Sequence, residues 1–204
     1  MTVYCSDVYK YLAHCDKKYN LIFADPPYEF DYRPLLFKID SVCAERCNVF
    51  IFGNVTKLIE MMKVYDGKLK FSEFFVFIAK SATLTNNNEP LTAVDYIAHF
   101  YNNSYFFVNN NDYFSDFLGF ITKKRANTKY DRYEKDMKIA EKLVLHYSKQ
   151  GDKVLDLFAG SGNLGIAALL HGRDVDFVEI DAEKCRLIKE RVRNAGVYRS
   201  LDKF

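Results

Sequence analysis

Lys153-Val154-Leu155-Asp156-Leu157-Phe158-Ala159-Gly160-Ser161-Gly162-Asn163-Leu164-Gly165 reads as a short apolar strand that turns on glycines into a helix. A Gly-x-Gly-x-x-Gly match has meaning in that setting, after a strand and at the opening of a helix. Glycines there let a ligand approach the backbone and let the helix pack close to the strand. Glu179 ends the next apolar run, 17 residues beyond Gly162, where a carboxylate can accept from the hydroxyls of a ribose. Taken alone, the pair fits NAD or S-adenosylmethionine. Asp156, four residues ahead of Gly160, favours the second, because a carboxylate repels an anionic pyrophosphate and tolerates a cationic methyl donor.

Outward from this stretch, short apolar runs alternate with amphipathic ones, the pattern of a doubly wound α/β sheet. Strands are expected at Thr2 to Cys5, Leu21 to Ala24, Cys47 to Phe52, Phe74 to Ile78, Ala93 to Phe100, Lys153 to Leu157 and Val175 to Ile180. Helices are expected at Val8 to His14, Val55 to Val64, Asp136 to Ser148, Gly162 to His171 and Ala182 to Asn194. Tyr105 to Val108 reads as a short extra strand, and residues 109 to 132 as an exposed, polar and aromatic excursion. No internal repeat or linker divides the chain, so residues 1 to 204 are expected to form one domain, with about 105 to 132 as a short recognition insert.

More than a hundred residues before the glycines, Leu21-Ile22-Phe23-Ala24 runs directly into Asp25-Pro26-Pro27-Tyr28. Proline fixes φ and has no N–H, so two in succession hold the backbone still and leave carbonyls free to accept. The tetrapeptide describes a rigid pocket for a planar ring bearing an amine. The Asp25 carboxylate can take one N–H of such an amine and the Pro26 carbonyl the other, turning the nitrogen lone pair towards an electrophile. Tyr28 would stack on the ring, a contact worth ~1–3 kcal/mol on single strands. A base inside a duplex reaches such a cleft only when flipped out.

The formal charge of +2 does not by itself announce a nucleic-acid binder. Residues 122 to 138 carry seven basic and three acidic side chains, and Lys123, Lys124, Arg125, Lys129 and Arg132 in that stretch are candidates for phosphate contact. An ordinary solvated face is the other reading of that cluster. Lys184, Arg186, Lys189, Arg191 and Arg193 lie on an expected helix and read as solvated surface. The five cysteines, with Cys43 and Cys47 one helical turn apart, lack zinc or redox spacing and read as reduced thiols. No metal is expected. Met1-Thr2-Val3-Tyr4-Cys5 does not open a signal peptide, and no apolar run is long enough to span a bilayer, so a cytoplasmic protein without membrane contact is expected.

Asp25-Pro26-Pro27-Tyr28 together with Asp156-x-Phe158-Ala159-Gly160-Ser161-Gly162 resembles the DNA amino-methyltransferases. The order, catalytic motif before cofactor motif, resembles their circularly permuted beta group, and the likeness spans nearly the whole chain. It implies a Rossmann-like α/β fold with seven strands in the order 3-2-1-4-5-7-6. The seven expected strands, in chain order, would fill places 3, 4, 5, 6, 7, 1 and 2. It implies S-adenosylmethionine as cofactor, with Ser6, Asp7 and Val8 at its adenine and Phe158 beside its methionine. Lys135 stands where the segment covering the methionine end has a lysine; the rest of Tyr133 to Met137 departs from that segment, and Leu157 replaces a frequent proline. Asp at the first position of the tetrapeptide goes with adenine in this family.

The implied activity is site-specific N6-methylation of a flipped-out adenine in duplex DNA, by direct in-line transfer without a covalent enzyme intermediate. No Pro-Cys pair supplies the nucleophile of a cytosine-C5 enzyme. The alternatives are an RNA adenosine N6-methyltransferase, a DNA cytosine-N4 methyltransferase, or a noncatalytic subunit of a methyltransferase complex. A nicotinamide oxidoreductase is disfavoured by Asp156 and leaves Asp25 to Tyr28 unexplained. The space for a recognition region is short, which points to relaxed specificity, a homodimer or a partner specificity subunit.

Overall fold

Successive residues of Leu21-Ile22-Phe23-Ala24 point into two different apolar layers, as a strand covered on both faces requires. A computed structural model describes residues 1–27, 29–78, 94–103, 107 and 137–195. Its strands are β1 (Thr2–Cys5), β2 (Tyr19–Ala24), β3 (Cys43–Gly53), β4 (Lys70–Ile78), β5 (Val94–Asn103), β6 (Lys153–Leu157) and β7 (Asp174–Glu179). They form one sheet in the order β1-β7-β6-β2-β3-β5-β4. The first five in that order pair in parallel, whereas β5 is antiparallel to both β3 and β4. With each strand given the place assigned above, the sheet reads 3-2-1-4-5-7-6.

Helices α1 (Val8–His14), α2 (Leu35–Asp40) and α3 (Val55–Val64) cover one face, and α4 (Met137–Tyr147), α5 (Asn163–Leu170) and α6 (Ala182–Asn194) the other. Ile22, Val49, Ile51 and Leu155 meet the first group; Leu21, Phe23, Phe50 and Phe177 meet the second. Helix α5 packs so close to β7 that a Cβ on Gly165 would overlap the Phe177 ring. That glycine is required by packing rather than by a ligand. Among the described residues, no helix is long and apolar enough to cross a membrane.

Helix α2 was not expected. It has no side-chain N-cap, but Leu35, Leu36 and Ile39 are fully buried at i, i+1 and i+4 after Pro34, and that burial holds a six-residue helix. Strand β3 begins at Cys43, so Cys43 and Cys47 lie on a strand and not one turn apart on a helix. The expected strand at Tyr105 to Val108 lies, apart from Phe107, outside the described residues, as does the excursion of 109 to 132.

Candidate active site

Parallel pairing brings four strand ends side by side. Cys5 pairs with Glu179, Val178 with Leu157, and Leu157 with Ala24. Three backbone contacts continue this alignment past the strands: Ser6 N–H donates to the Glu179 carbonyl at 2.9 Å, Ala159 N–H to Val178 at 3.1 Å, and Asp25 N–H to Leu157 at 3.5 Å. The segments after β1, β6 and β2 therefore border one crevice at the carboxyl end of the sheet, with Glu179 between the first two. That is where open α/β sheets bind ligands.

The turn after β6 is held in an uncommon backbone shape. Phe158 takes φ +58, Gly160 φ +55 and Gly162 φ +84. For the glycines this is free of steric cost; for Phe158 it costs on the order of 1–2 kcal/mol and needs support from its surroundings. Phe30 packs edge-on against Phe158 with ring centroids 4.8 Å apart, joining the turn after β2 to the turn after β6. Arg191 of α6 donates to the Ser161 carbonyl at 2.7 Å and to Asn163 Oδ1 at 2.6 Å. It is thus a brace for the glycine turn and not solvated surface.

Asp156 is buried beneath that turn. Its Oδ2 accepts from Gly165 N–H at 2.8 Å, in the first turn of α5, while Oδ1 has no hydrogen-bond partner among the described residues. Burial pushes its carboxyl well above the usual carboxylate range; the Gly165 N–H opposes this, and the Asp25 and Glu179 carboxylates add to it. The folded state keeps a proton that the unfolded chain loses above about pH 3.9. Stability should therefore fall as pH rises from that value towards the higher folded one. Asp156→Asn keeps an acceptor for Gly165 and cannot ionise, so its stability should lose a slope of up to about 1.4 kcal/mol per pH unit across that window. Urea denaturation at a series of pH values checks this; identical slopes for the two proteins would contradict it.

Glu179 is also buried, and both its oxygens hold backbone. Oε2 accepts from Gly160 N–H at 2.7 Å and Oε1 from Asp181 N–H at 2.9 Å. Each oxygen keeps further acceptor capacity, so these bonds leave room for a ribose hydroxyl. Asp7 has a similar double character: Oδ1 accepts from Lys10 N–H at 2.9 Å as the N-cap of α1. Ser6 is partly exposed beside it, and Val8 is buried in the core beneath.

On the other side of the crevice, Asp25 is partly exposed, Pro26 buried and Pro27 exposed. The Pro27 carbonyl accepts from Phe30 N–H at 2.9 Å, closing a tight turn. The Pro26 carbonyl accepts from the Tyr32 hydroxyl at 3.1 Å. Tyr32 fits because residue 53 is glycine: a Cβ there would lie 2.7 Å from its ring. Lys57 anchors the same turn by donating to the Phe30 carbonyl at 3.0 Å. Sequence reasoning missed Tyr32, Gly53, Phe30, Lys57 and Arg191, all of which support the two motifs from outside them.

Tyr28 and Lys135 lie outside the described residues, as do Lys123, Lys124, Arg125, Lys129 and Arg132. Asp25, Pro26, Pro27, Ser6, Asp7, Asp156, Phe158, Ala159, Gly160, Ser161, Gly162 and Glu179 are brought to the rim or floor of one crevice.

The DNA methylase family model matches residues 19–190, a span that contains both motifs. This chain belongs to the DNA methylase family. Among solved structures similar to this methylase are the M1.HpyAVI–SAM complex, with a TM-score of 0.74, 17% identity, and coverage of 93% of this chain and 98% of that one. Another is the PvuII DNA methyltransferase, cytosine-N4-specific, with a TM-score of 0.75, 14% identity, and coverage of 99% and 93%. At these identities the likeness establishes the fold. The orphan methyltransferase M.BamHII of Bacillus amyloliquefaciens is 40% identical over 57 residues, which are 28% of this chain and 22% of that protein.

Proposed function

We propose that this DNA methylase transfers a methyl group from S-adenosylmethionine to N6 of an adenine flipped out of duplex DNA. The observation that carries the reading is the adjacency of two strand ends. Asp25 and the Pro26 carbonyl follow β2, the glycine turn follows the neighbouring β6, and Asp25 N–H reaches the Leu157 carbonyl. An amine held on one side of the crevice would face a ligand held on the other.

The residues present fit a cationic cofactor. Asp156 Oδ1 is buried without a partner among the described residues, and the Asp25 and Glu179 carboxylates lie near enough to raise its proton affinity. Positive charge nearby would relieve that crowding. In this reading Ser6, Asp7 and Val8 border the cofactor's adenine and Glu179 accepts from its ribose. Asp156, Phe158, Ala159, Gly160, Ser161 and Gly162 surround the methionine end, with Lys135 over it. When bound, S-adenosylmethionine supplies an electrophilic methyl group on a sulfonium.

Asp25 and the Pro26 carbonyl each accept one N–H of the amine, which directs the nitrogen lone pair towards that methyl and receives the developing positive charge. Pro27 keeps the turn rigid, and Tyr28 stacks on the base. Catalysis is then chiefly positioning, with reacting atoms brought to about 3–3.5 Å. A carbonyl oxygen accepts two hydrogen bonds, so the Tyr32 hydroxyl can occupy one lone pair of Pro26 and fix the direction of the other. Tyr32→Phe should lower the transfer rate by about 3–10-fold, the worth of one such bond. Single-turnover rates alongside cofactor affinity, which should not move, check that role.

The adenine preference rests on Asp25 in the resemblance drawn from the sequence. The motif order supports reading the chain as a permuted member that enters the sheet at its edge strand β1. Cytosine N4 is the other amine this geometry can seat, and RNA adenosine the other polymer. The test is transfer from labelled S-adenosylmethionine to duplex DNA, single-stranded DNA and RNA in parallel, with nucleoside analysis. N6-methyladenine in duplex DNA is the expected product; N4-methylcytosine, or label in RNA alone, would replace this reading.

A further inference from the structure

Five free cysteines are distributed over the chain, and two of them, 180 positions apart, meet at the edge of the crevice. Cys5 is the last residue of β1, exposed, and immediately precedes Ser6 and Asp7. Cys185 is in the first turn of α6 and is 3% exposed. Their sulfurs are 2.6 Å apart, little more than half an ångström longer than the ~2.05 Å of a covalent S–S bond. The chain backbone fixes this approach on both sides. Ser6 N–H is bonded to the Glu179 carbonyl, Asp181 N–H to the Glu179 carboxylate, and Cys185 N–H to the Asp181 carbonyl.

We propose that Cys5 and Cys185 are a site of reversible oxidative modification, closing to an intramolecular disulfide on exposure to hydroperoxides. Exposure divides the roles. Cys5 is the sulfur a peroxide reaches, and Cys185 is the buried resolving partner, its thiol pushed up to about 12 first by burial and then by its contact with Cys5. The Cys5 sulfur attacks a peroxide oxygen; the O–O bond breaks, the leaving hydroxide takes the proton given up by the Cys5 thiol and departs as water, and Cys5 is left as sulfenic acid. The Cys185 sulfur then attacks the sulfenyl sulfur; the S–S bond forms, the S–O bond breaks, and the hydroxyl leaves as water with the Cys185 proton. Two thiols and one hydrogen peroxide give one disulfide and two waters. The same pair could be opened again by exchange with a small thiol.

This proposal does not depend on the methyl acceptor, because neither sulfur is placed in the chemistry of transfer. The bond would tie the strand leading into Ser6 and Asp7 to the helix following Glu179, so the oxidised form should also melt higher, on the order of 10 °C for so long a closed loop.

The test treats the reduced full chain with graded hydrogen peroxide and, in parallel, with oxidised glutathione. The protein is then denatured in an alkylating agent and its peptides mapped. The expected result is three alkylated cysteines, Cys15, Cys43 and Cys47, and one cross-linked peptide pair containing Cys5 and Cys185, restored to five alkylated cysteines by reductant. Cys185→Ser should halt Cys5 at the sulfenic stage or beyond it, and Cys5→Ser should leave Cys185 alkylatable after denaturation. Mapping of the unsubstituted chain needs neither variant to fold. Five free thiols after peroxide, cross-links to other cysteines, or Cys5 over-oxidised with Cys185 still a thiol would each overturn the proposal.

Discussion

Replacing Asp25 with alanine is expected to reduce methyl transfer by about 10³-fold, the scale seen when a donor or acceptor serving only the transition state is removed. Cofactor binding should survive, weakened only by the loss of one nearby negative charge, because Asp25 follows β2 whereas the glycine turn follows β6. The loss should fall on the single-turnover rate rather than on cofactor binding, which isothermal titration and rapid quench measure separately. A second effect is independent of turnover. Burial is the main reason the Asp156 carboxyl is raised and the Asp25 carboxylate adds to it, so removing Asp25 should lower the Asp156 titration while leaving it above ordinary carboxylate values. Undiminished transfer in Asp25→Ala would remove Asp25 from the chemistry whatever the state of Asp156.

Glu179→Ala should act in the opposite pattern, weakening cofactor binding by about 10²-fold with a smaller change in the rate at saturation. Glu179 receives the N–H groups of Gly160 and Asp181, and truncation strands both. A hydrogen bond to a charged group contributes about 1.5–3 kcal/mol, so losing the clamp and the ribose contact together reaches that hundredfold loss. Glu179→Gln is the informative companion. Its carbonyl can serve one N–H, but its amide must face the other donor, so it should bind the cofactor better than the alanine variant and worse than glutamate. Direct titration of S-adenosylmethionine into the three proteins checks the order; equal affinities would mean the ribose and the turn are held elsewhere.

The parts of this crevice that could be read from sequence are those whose chemistry is local. Asp25-Pro26-Pro27 and the glycine turn each declare themselves within a few residues of a strand end. Glu179 is visible because it ends the next strand, although its grip on Gly160 is not. Tyr32 is one tyrosine among 15, and only the approach of β3 at Gly53 brings its hydroxyl to Pro26. Arg191 is one of five cations on α6, and the seating of that helix against the glycine turn selects it. Helix α2 was missed because it lacks a side-chain cap and is held by tertiary burial of three side chains. Arg191 acts across 30 positions and Tyr32 across six, but in both cases tertiary packing makes the contact, and periodicity and motif spacing carry no signal of it.

The position of β6 has a consequence for how the protein is made. It lies between β2 and β7 in the middle of the sheet, yet it follows β1 to β5 in the chain. A ribosome therefore releases β2 with one flank unpaired and β1 without its neighbour, and both wait until β6 and β7 have been made. Parallel pairings of such wide separation form slowly and leave apolar strand edges open to other chains in the interval. Newly synthesised polypeptide should depend on chaperones during that wait, and the crevice cannot exist in any nascent fragment that stops short of β7.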